Sequence, residues 1–266
     1  MIIVELFSDR FKLIQIDSYS MQLKHIIPIL EEIAPPELAE DFDIGRIGLT
    51  LNLENNVNKI AVALDPTEYV LKRAAEIGAD LLITHHTLIF QPINCIDKKL
   101  ADSLKIAIDN EISLYSMHTN FDKAKGGIND ALANRLGLTD IKEIPIGRIG
   151  TITPCSTETF INHVSKSLST HIQYTGNKEE IKKVMVFGGS GFRSEYIETA
   201  RKYGADAYVS SEIKHDIIRS FSDILLVDAT HYATENPGMQ DLCPRLAGKL
   251  KLDVEFIDHD PFIKTI

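Results

Sequence analysis

Short apolar runs along this chain alternate with stretches in which apolar positions recur every three or four residues, the pattern of strands alternating with helices. Lys59-Ile60-Ala61-Val62-Ala63-Leu64-Asp65 predicts a strand, Pro66 stands where a helix can open, and Val70, Leu71, Ala74 and Ala75 share one helical face. Leu81-Leu82-Ile83-Thr84 predicts a second strand, entered through Gly78-Ala79-Asp80 and ending on two adjacent histidines, His85 and His86. Leu100, Leu104, Ala107 and Ile108 mark a helix, and the strand from Ile112 to Met117 runs straight into His118-Thr119-Asn120-Phe121-Asp122. Ile128, Ala131, Leu132 and Leu136 face a further helix. Strands separated by helices of this length imply parallel pairing with right-handed crossovers.

The rhythm breaks over residues 140–180, where Arg148 to Thr153 predicts a strand, Phe160, Ile161, Val164 and Leu168 a helix, and Ile172-Gln173-Tyr174 another strand. It returns at Val184-Met185-Val186-Phe187, followed by Gly188-Gly189-Ser190-Gly191 and a helix carrying Tyr196, Ile197 and Ala200. Here the chain repeats itself: Ala74 to Thr84 aligns without a gap on Ala200 to Ser210, each a helix ending at a glycine C-cap with a strand one tight turn later. His118-x-x-x-Asp122 in the first half is answered by His231-x-x-x-Glu235, just past the strand Asp223 to Asp228. Leu242, Leu246, Ala247 and Leu250 close the chain as a helix, and Val254 to Ile257 as a last strand. Upstream, Ile29, Leu30 and Ile33 form a helix stopped by Pro35-Pro36, and Leu49 to Leu53 alternates like a half-buried strand. The expected class is therefore α/β: a strand-like N-terminal extension (1–20), a first α/β half (21–139), an inserted α+β lobe (140–180) and a related second half (181–266), with mostly parallel strands in one shared sheet or two facing ones.

His85, His86, His118, Asp122, His231 and Glu235 all fall just beyond the carboxyl ends of predicted strands, the edge at which open α/β sheets bind ligands. Successive strand residues point to opposite faces, so the tandem histidines cannot both be core residues. Imidazoles with carboxylates and no thiolate suit divalent zinc, iron, manganese or cobalt. Six such groups exceed what one tetrahedral ion takes from protein, whereas two ions, typically about 3.5–4 Å apart with a bridging carboxylate, would use them all. His215, just after the repeat position of the tandem histidines, is a candidate acid/base or ligand-orienting residue. Gly188, Gly189 and Gly191, between strand and helix, suggest backbone N–H groups cradling an anion, with Lys123 beside the proposed ligand Asp122 adding positive charge. His25, His163, His171 and His259 read as ordinary hydrogen-bonded residues.

Composition narrows the class. The 266 residues are 44% hydrophobic and 25% charged, ordinary globular values. No apolar run is long enough to cross a bilayer and no signal-like segment opens the chain, so a cytoplasmic protein is expected. Three scattered cysteines, Cys95, Cys155 and Cys243, argue against a disulfide framework or a thiolate zinc site. A formal net charge of −10 makes nucleic acid a poor partner.

Taken as an ordered set, Ala34-Pro35-Pro36-Glu37-Leu38-Ala39-Glu40-Asp41, Gly78-Ala79-Asp80 through His85-His86, His118-Thr119-Asn120-x-Asp122, Gly188-Gly189-x-Gly191 and His231-x-x-x-Glu235 resemble the NIF-three-like family, whose members are often labelled GTP cyclohydrolase 1 type 2 homologues. The resemblance implies that His85, His86, Asp122, His231 and Glu235 hold two metal ions, with His118 at the site, and that copies assemble into a toroidal homohexamer around an internal cavity. Two departures stand out. Asp41-Phe42-Asp43-Ile44-Gly45-Arg46-Ile47-Gly48-Leu49 replaces an Asp-Trp-Asp-Asn-x-Gly-Leu pattern, and Thr230 stands where a glycine is common before the late histidine. Residues 1–20 fall outside the resemblance, and Met21 is a candidate natural start. The expected function is a dinuclear metal-dependent hydrolase acting on a purine nucleotide. The alternatives are a metal-dependent phosphoesterase and a non-catalytic metal-binding or assembly protein.

Overall fold

The computed structural model describes residues 20–260. The first half runs β1 (Met21–Gln22), α1 (Leu23–Ile33), β2 (Gly48–Leu51), β3 (Asn56–Val57), β4 (Lys59–Ala63), α2 (Glu68–Glu76), β5 (Leu81–Thr84), α3 (Lys98–Asp109), β6 (Ser113–Ser116), α4 (Thr119–Lys123) and α5 (Ile128–Arg135). There follow β7 (Thr139–Glu143), β8 (Arg148–Cys155), α6 (Thr157–Leu168), β9 (Gln173–Thr175), β10 (Ile181–Val186), α7 (Ser194–Lys202), β11 (Ala207–Ser210), α8 (His215–Ser220), β12 (Leu225–Asp228), α9 (His231–Leu250) and β13 (Asp253–Phe256). The strand-like N-terminal extension expected over 1–20 lies, but for residue 20, outside the described residues. Among those described, no helix is long and apolar enough to cross a membrane.

The protein is mixed α/β, with two large sheets among the described residues, ordered β13-β4-β5-β6-β2 and β7-β8-β10-β11-β12-β9, and a small antiparallel pair of β1 with β3. Their central strands pair in parallel, β4 with β5 and β5 with β6 in one sheet, β10 with β11 and β11 with β12 in the other. Those strands are buried on both faces, as continuous apolar runs such as Leu81-Leu82-Ile83 require. The α+β segment over 140–180 does not stand apart: β8 pairs antiparallel with β10 and β9 antiparallel with β12, so its strands extend the second sheet.

The repeat has a physical basis in Asp80 and Asp206. Each follows a helix that ends at a glycine of positive φ, Gly78 at +69° and Gly204 at +71°. Asp80 Oδ2 accepts the backbone N–H groups of Asn58 (2.7 Å) and Lys59 (3.0 Å), and Asp206 Oδ2 those of Lys182 (3.1 Å) and Lys183 (2.8 Å). The same carboxylate thus ties the start of one strand to the entry of its neighbour in both halves.

The chain departs from a simple division at its end. Met239, Leu242, Leu246 and Leu250 of α9 join the core formed by Leu30, Ile60, Val62, Leu81 and Ile83 of the first half. β13 then pairs in parallel with β4, Asp253 opposite Lys59 through Phe256 opposite Val62. The second half expected over 181–266 therefore closes the first sheet, and α9 bridges the two halves, with its first residue, His231, on the side where strands of both sheets end.

Candidate metal centre

Four histidines meet between the ends of the two sheets, each held through one ring nitrogen. His85 and His86 follow β5, and their backbone N–H groups both donate to the Leu64 carbonyl at 3.1 Å. His85 is fully buried, with Nδ1 2.9 Å from the Met117 carbonyl. His86 Nδ1 lies 2.7 Å from Asp65 Oδ1, His118 Nδ1 2.8 Å from Asp43 Oδ2, and His231 Nδ1 2.6 Å from Glu212 Oε1. A carbonyl or carboxylate oxygen can only accept, so Nδ1 is the donor in all four rings and Nε2 is left with its lone pair, the state in which imidazole binds metals. Asp43 is itself fixed by the Thr119 N–H (3.1 Å) and hydroxyl (2.5 Å), and these bonds together with His118 outweigh burial and keep its carboxyl below the usual range.

The free nitrogens face buried acids. His85 Nε2 is 3.5 Å from Asp122 Oδ1 and 3.7 Å from Glu235 Oε1, while Glu235 Oε2 is 3.3 Å from His86 Nε2 and 3.0 Å from His231 Nε2. A lone pair facing a carboxylate oxygen is a contact between two acceptors, which only a proton or a cation makes favourable. His85 Nε2, Asp122 Oδ1, His231 Nε2 and Glu235 Oε2 are accordingly buried without a hydrogen-bond partner. Three overlapping sets of donor atoms could hold a metal ion: His85 with His86 and His118, His86 with His231 and Glu235, and His85 with Asp122 and Glu235.

The charges respond as this crowding demands. Burial lowers the His85 imidazole to about 4. Burial opposes charge on His86 too, but the Glu235 carboxylate and the Asp65 hydrogen bond raise it to about 10. For His231, Glu235 and Glu212 overcome burial and raise it to about 9. Burial would raise Glu235, yet His85 and His86 hold it well below the carboxylate range, while burial and the charge of Glu235 push Asp122 well above it.

Beside the cluster opens a cavity of about 590 Å³, lined from the first half by Phe42, Arg46, Phe90 and His118 and from the second by Phe187 and Tyr196 among others. A family model described as Duf34/NIF3 (NGG1p interacting factor 3) matches residues 21–261. The chain belongs to this family. It is 36% identical over 263 residues to a Clostridium perfringens protein named "GTP cyclohydrolase 1 type 2 homolog", covering 91% of this chain and 99% of that one. It is similar to the solved structure titled "Reduced HcgD from Methanocaldococcus jannaschii", with 34% identity, a TM-score of 0.80, and 91% and 99% of the two chains covered. A Bacillus cereus protein related to NIF3 shares the fold, with a TM-score of 0.84 at 23% identity over 92% of this chain and 99% of that one.

The other residues singled out in the sequence sit differently. His215 starts α8, exposed and off the cavity wall, so the acid/base role considered for it has no contact to rest on. The glycine turn touches the centre, and the N–H groups of its three glycines are spent inside the protein: that of Gly188 goes to Asn129 Oδ1 (2.8 Å), that of Gly189 to Thr234 Oγ1 (3.0 Å) and that of Gly191 to Ser210 Oγ (3.1 Å). Its smallness is what counts, since a Cβ on Gly189 would lie 2.0 Å from Glu235 Oε1. Lys123 lines the cavity with its ammonium 2.5 Å from Glu40.

Sequence reasoning missed the acids behind the rings: Asp65, Asp43 and Glu212. The repeat offered one of them, because carrying the Ala74-on-Ala200 alignment two residues past Ser210 puts Ser211-Glu212 on His85-His86. Asp65, at the carboxyl end of a strand beside the histidine strand, was open to the edge rule that gathered the ligand candidates.

Proposed function

We propose that this protein is a dinuclear metal-dependent hydrolase acting on a purine nucleotide. The observation that carries the reading is Glu235, whose buried carboxylate serves two of the three overlapping donor sets beside a cavity of about 590 Å³. His85, Asp122 and Glu235 would hold one ion and His86, His231 and Glu235 the other, with Glu235 shared. Ions bound in this way supply Lewis-acid polarisation and water activation near neutral pH.

The chain's own residues do the rest. Asp65, Glu212 and Asp43 hold the rings of His86, His231 and His118 in the tautomer that presents Nε2. His118, on the cavity wall with Nδ1 fixed by Asp43, is placed to move a proton between water and a ring nitrogen of the substrate. Phe42 and Phe90 set their ring centroids 6.3 and 5.9 Å from that of His118 and give the cavity an apolar wall beside it. In the reaction, water adds to the imidazole carbon of the purine, a ring C–N bond breaks, and a second water frees that carbon as formate. The name of the Clostridium perfringens relative supports this chemistry.

The test is a panel of nucleotides with protein loaded with manganese, iron or zinc, assayed for formate and for phosphate. Formate from GTP, abolished in Glu235→Gln, is the expected result. Phosphate without formate would make the protein a phosphoesterase, and tight metal uptake with neither product would make it a metal-storage or assembly protein.

A further inference from the structure

Two guanidinium groups line the cavity without meeting any carboxylate among the described residues. Arg46 lies over the ring of Phe90, its Cζ 4.6 Å from the centroid and 5.9 Å from that of Phe42, with Nη2 3.2 Å from Gln91 Oε1. Arg193, from the other half, lies over Tyr196 with Cζ 5.4 Å from the ring centroid. Both residues line the cavity that holds His118 and Glu235. Elsewhere Arg73, Arg135, Arg148 and Arg201 each face an acid.

Most other cationic and N–H groups near the cluster are spent. The Lys123 ammonium is held by Glu40, and the N–H groups of all three turn glycines are bonded within the protein, which leaves the turn only the single N–H of Ser190 to offer. A chain of net charge −10 repels anions at long range, so local attraction has to come from the cavity wall itself. Guanidinium is always charged, stacks on aromatic faces while keeping donors free at its edge, and meets a phosphate through two parallel N–H bonds. Arg46 keeps most of its five donors after the one bond to Gln91. The stack is also continuous: Phe90 meets both Arg46 and His118, so the guanidinium stands one ring away from the metal-ligand cluster.

We propose that Arg46 and Arg193 grip the phosphate end of the substrate from opposite halves of the chain and make the cavity selective for phosphorylated over unphosphorylated ligands. The proposal rests on the reading of this cavity as the substrate site. It reassigns anion recognition from the glycine turn and Lys123 to two arginines that no motif marks.

The experiment compares binding of GTP, guanosine and inorganic tripolyphosphate to the manganese-loaded protein by calorimetry with manganese in excess. The wild type is expected to bind GTP at least about tenfold more tightly than guanosine, and Arg46→Ala and Arg193→Ala each to weaken GTP by about tenfold, the size of one lost charge-assisted contact. Guanosine affinity, metal content and melting temperature should stay as in the wild type, and Arg46→Lys should recover part of the loss. Equal affinity for GTP and guanosine, no binding of either, or GTP affinity within twofold of wild type in both alanine variants would overturn the proposal. GTP binding that needs the arginines but yields neither formate nor phosphate would end the hydrolase reading and leave this one standing. Formate production with kcat/KM unchanged in both variants would do the reverse.

Discussion

His86 and His231 stand with ring centroids 5.3 Å apart, one from each half of the chain, and both aim Nε2 at Oε2 of Glu235. Their Nδ1 protons are already committed to Asp65 and Glu212, so the shared carboxylate can be satisfied only by protonating the rings or by binding a cation. Proton and metal therefore compete for one place, and that place joins the two sheets.

A pH dependence follows from this competition. His86 and His231 are raised from 6.5 to about 10 and about 9. A group whose folded pKa is raised contributes stability that is complete below its unfolded value and is lost as pH climbs through the folded one. Asp122, also raised, acts in the same direction. The metal-free protein should thus lose stability as pH rises from about 6.5 towards 9, while metal binding, which needs unprotonated ligands, strengthens over that interval. Thermal unfolding with and without manganese should show a melting-temperature gap that widens from pH 6.5 to 9; a gap that narrows would contradict this account of the centre.

Gly189 gives a second expectation. Its φ is +72°, and a Cβ there would lie 2.0 Å from Glu235 Oε1 and 3.1 Å from His231 Nε2. Gly204 has nearly the same φ, +71°, with only Lys183 Nζ at 3.9 Å. Gly189→Ala and Gly204→Ala should each cost about 1 kcal/mol from backbone strain. Only Gly189→Ala should also weaken metal affinity, by roughly 10–100-fold, as changes beside ligands do. Metal content after dialysis, with circular dichroism to verify the fold, checks this; equal retention by the two variants would show that the turn does not position Glu235.

What the sequence disclosed and what it hid separate along physical lines. The five ligand candidates were legible because each lies where a parallel strand ends, and topology alone brings such positions to one edge. Asp43 was not, because acids on surfaces are common and one becomes a ring's partner only once the chain has folded; Glu212 and Asp65 stood where the repeat and the strand-edge rule point, but only the fold pairs them with His231 and His86. The packing role of the glycine turn was hidden because a backbone that offers N–H groups and one that admits a neighbouring side chain look alike in sequence. The return of α9 and β13 to the first sheet was equally hidden: the spacing of Leu242, Leu246 and Leu250 marks an apolar face without saying which sheet it covers. Arg46 lies in the stretch that departs from the expected family pattern, where no motif could point to it.

Thr230, the other departure, carries a stability prediction. It caps α9 with φ +65° and ψ 149°, a region that only glycine adopts readily, and a β-branched residue there stores strain of order 1–3 kcal/mol. Its hydroxyl accepts the Ala233 N–H at a long 3.4 Å, and losing such a cap to glycine costs only a few tenths of a kcal/mol. Glycine adds about 0.5–1 kcal/mol of backbone entropy to lose on folding, so relief of strain should still prevail. Thr230→Ala keeps the Cβ and its strain while removing the cap, at about 1 kcal/mol. Thr230→Gly should therefore melt about 2 °C or more above the wild type and Thr230→Ala a few degrees below it, the usual shift per kcal/mol at this size. Should Thr230→Gly prove the less stable of the two, the strain before His231 would be disproved, and the threonine would have to be there for its hydroxyl, which also lies 3.4 Å from that of Thr170.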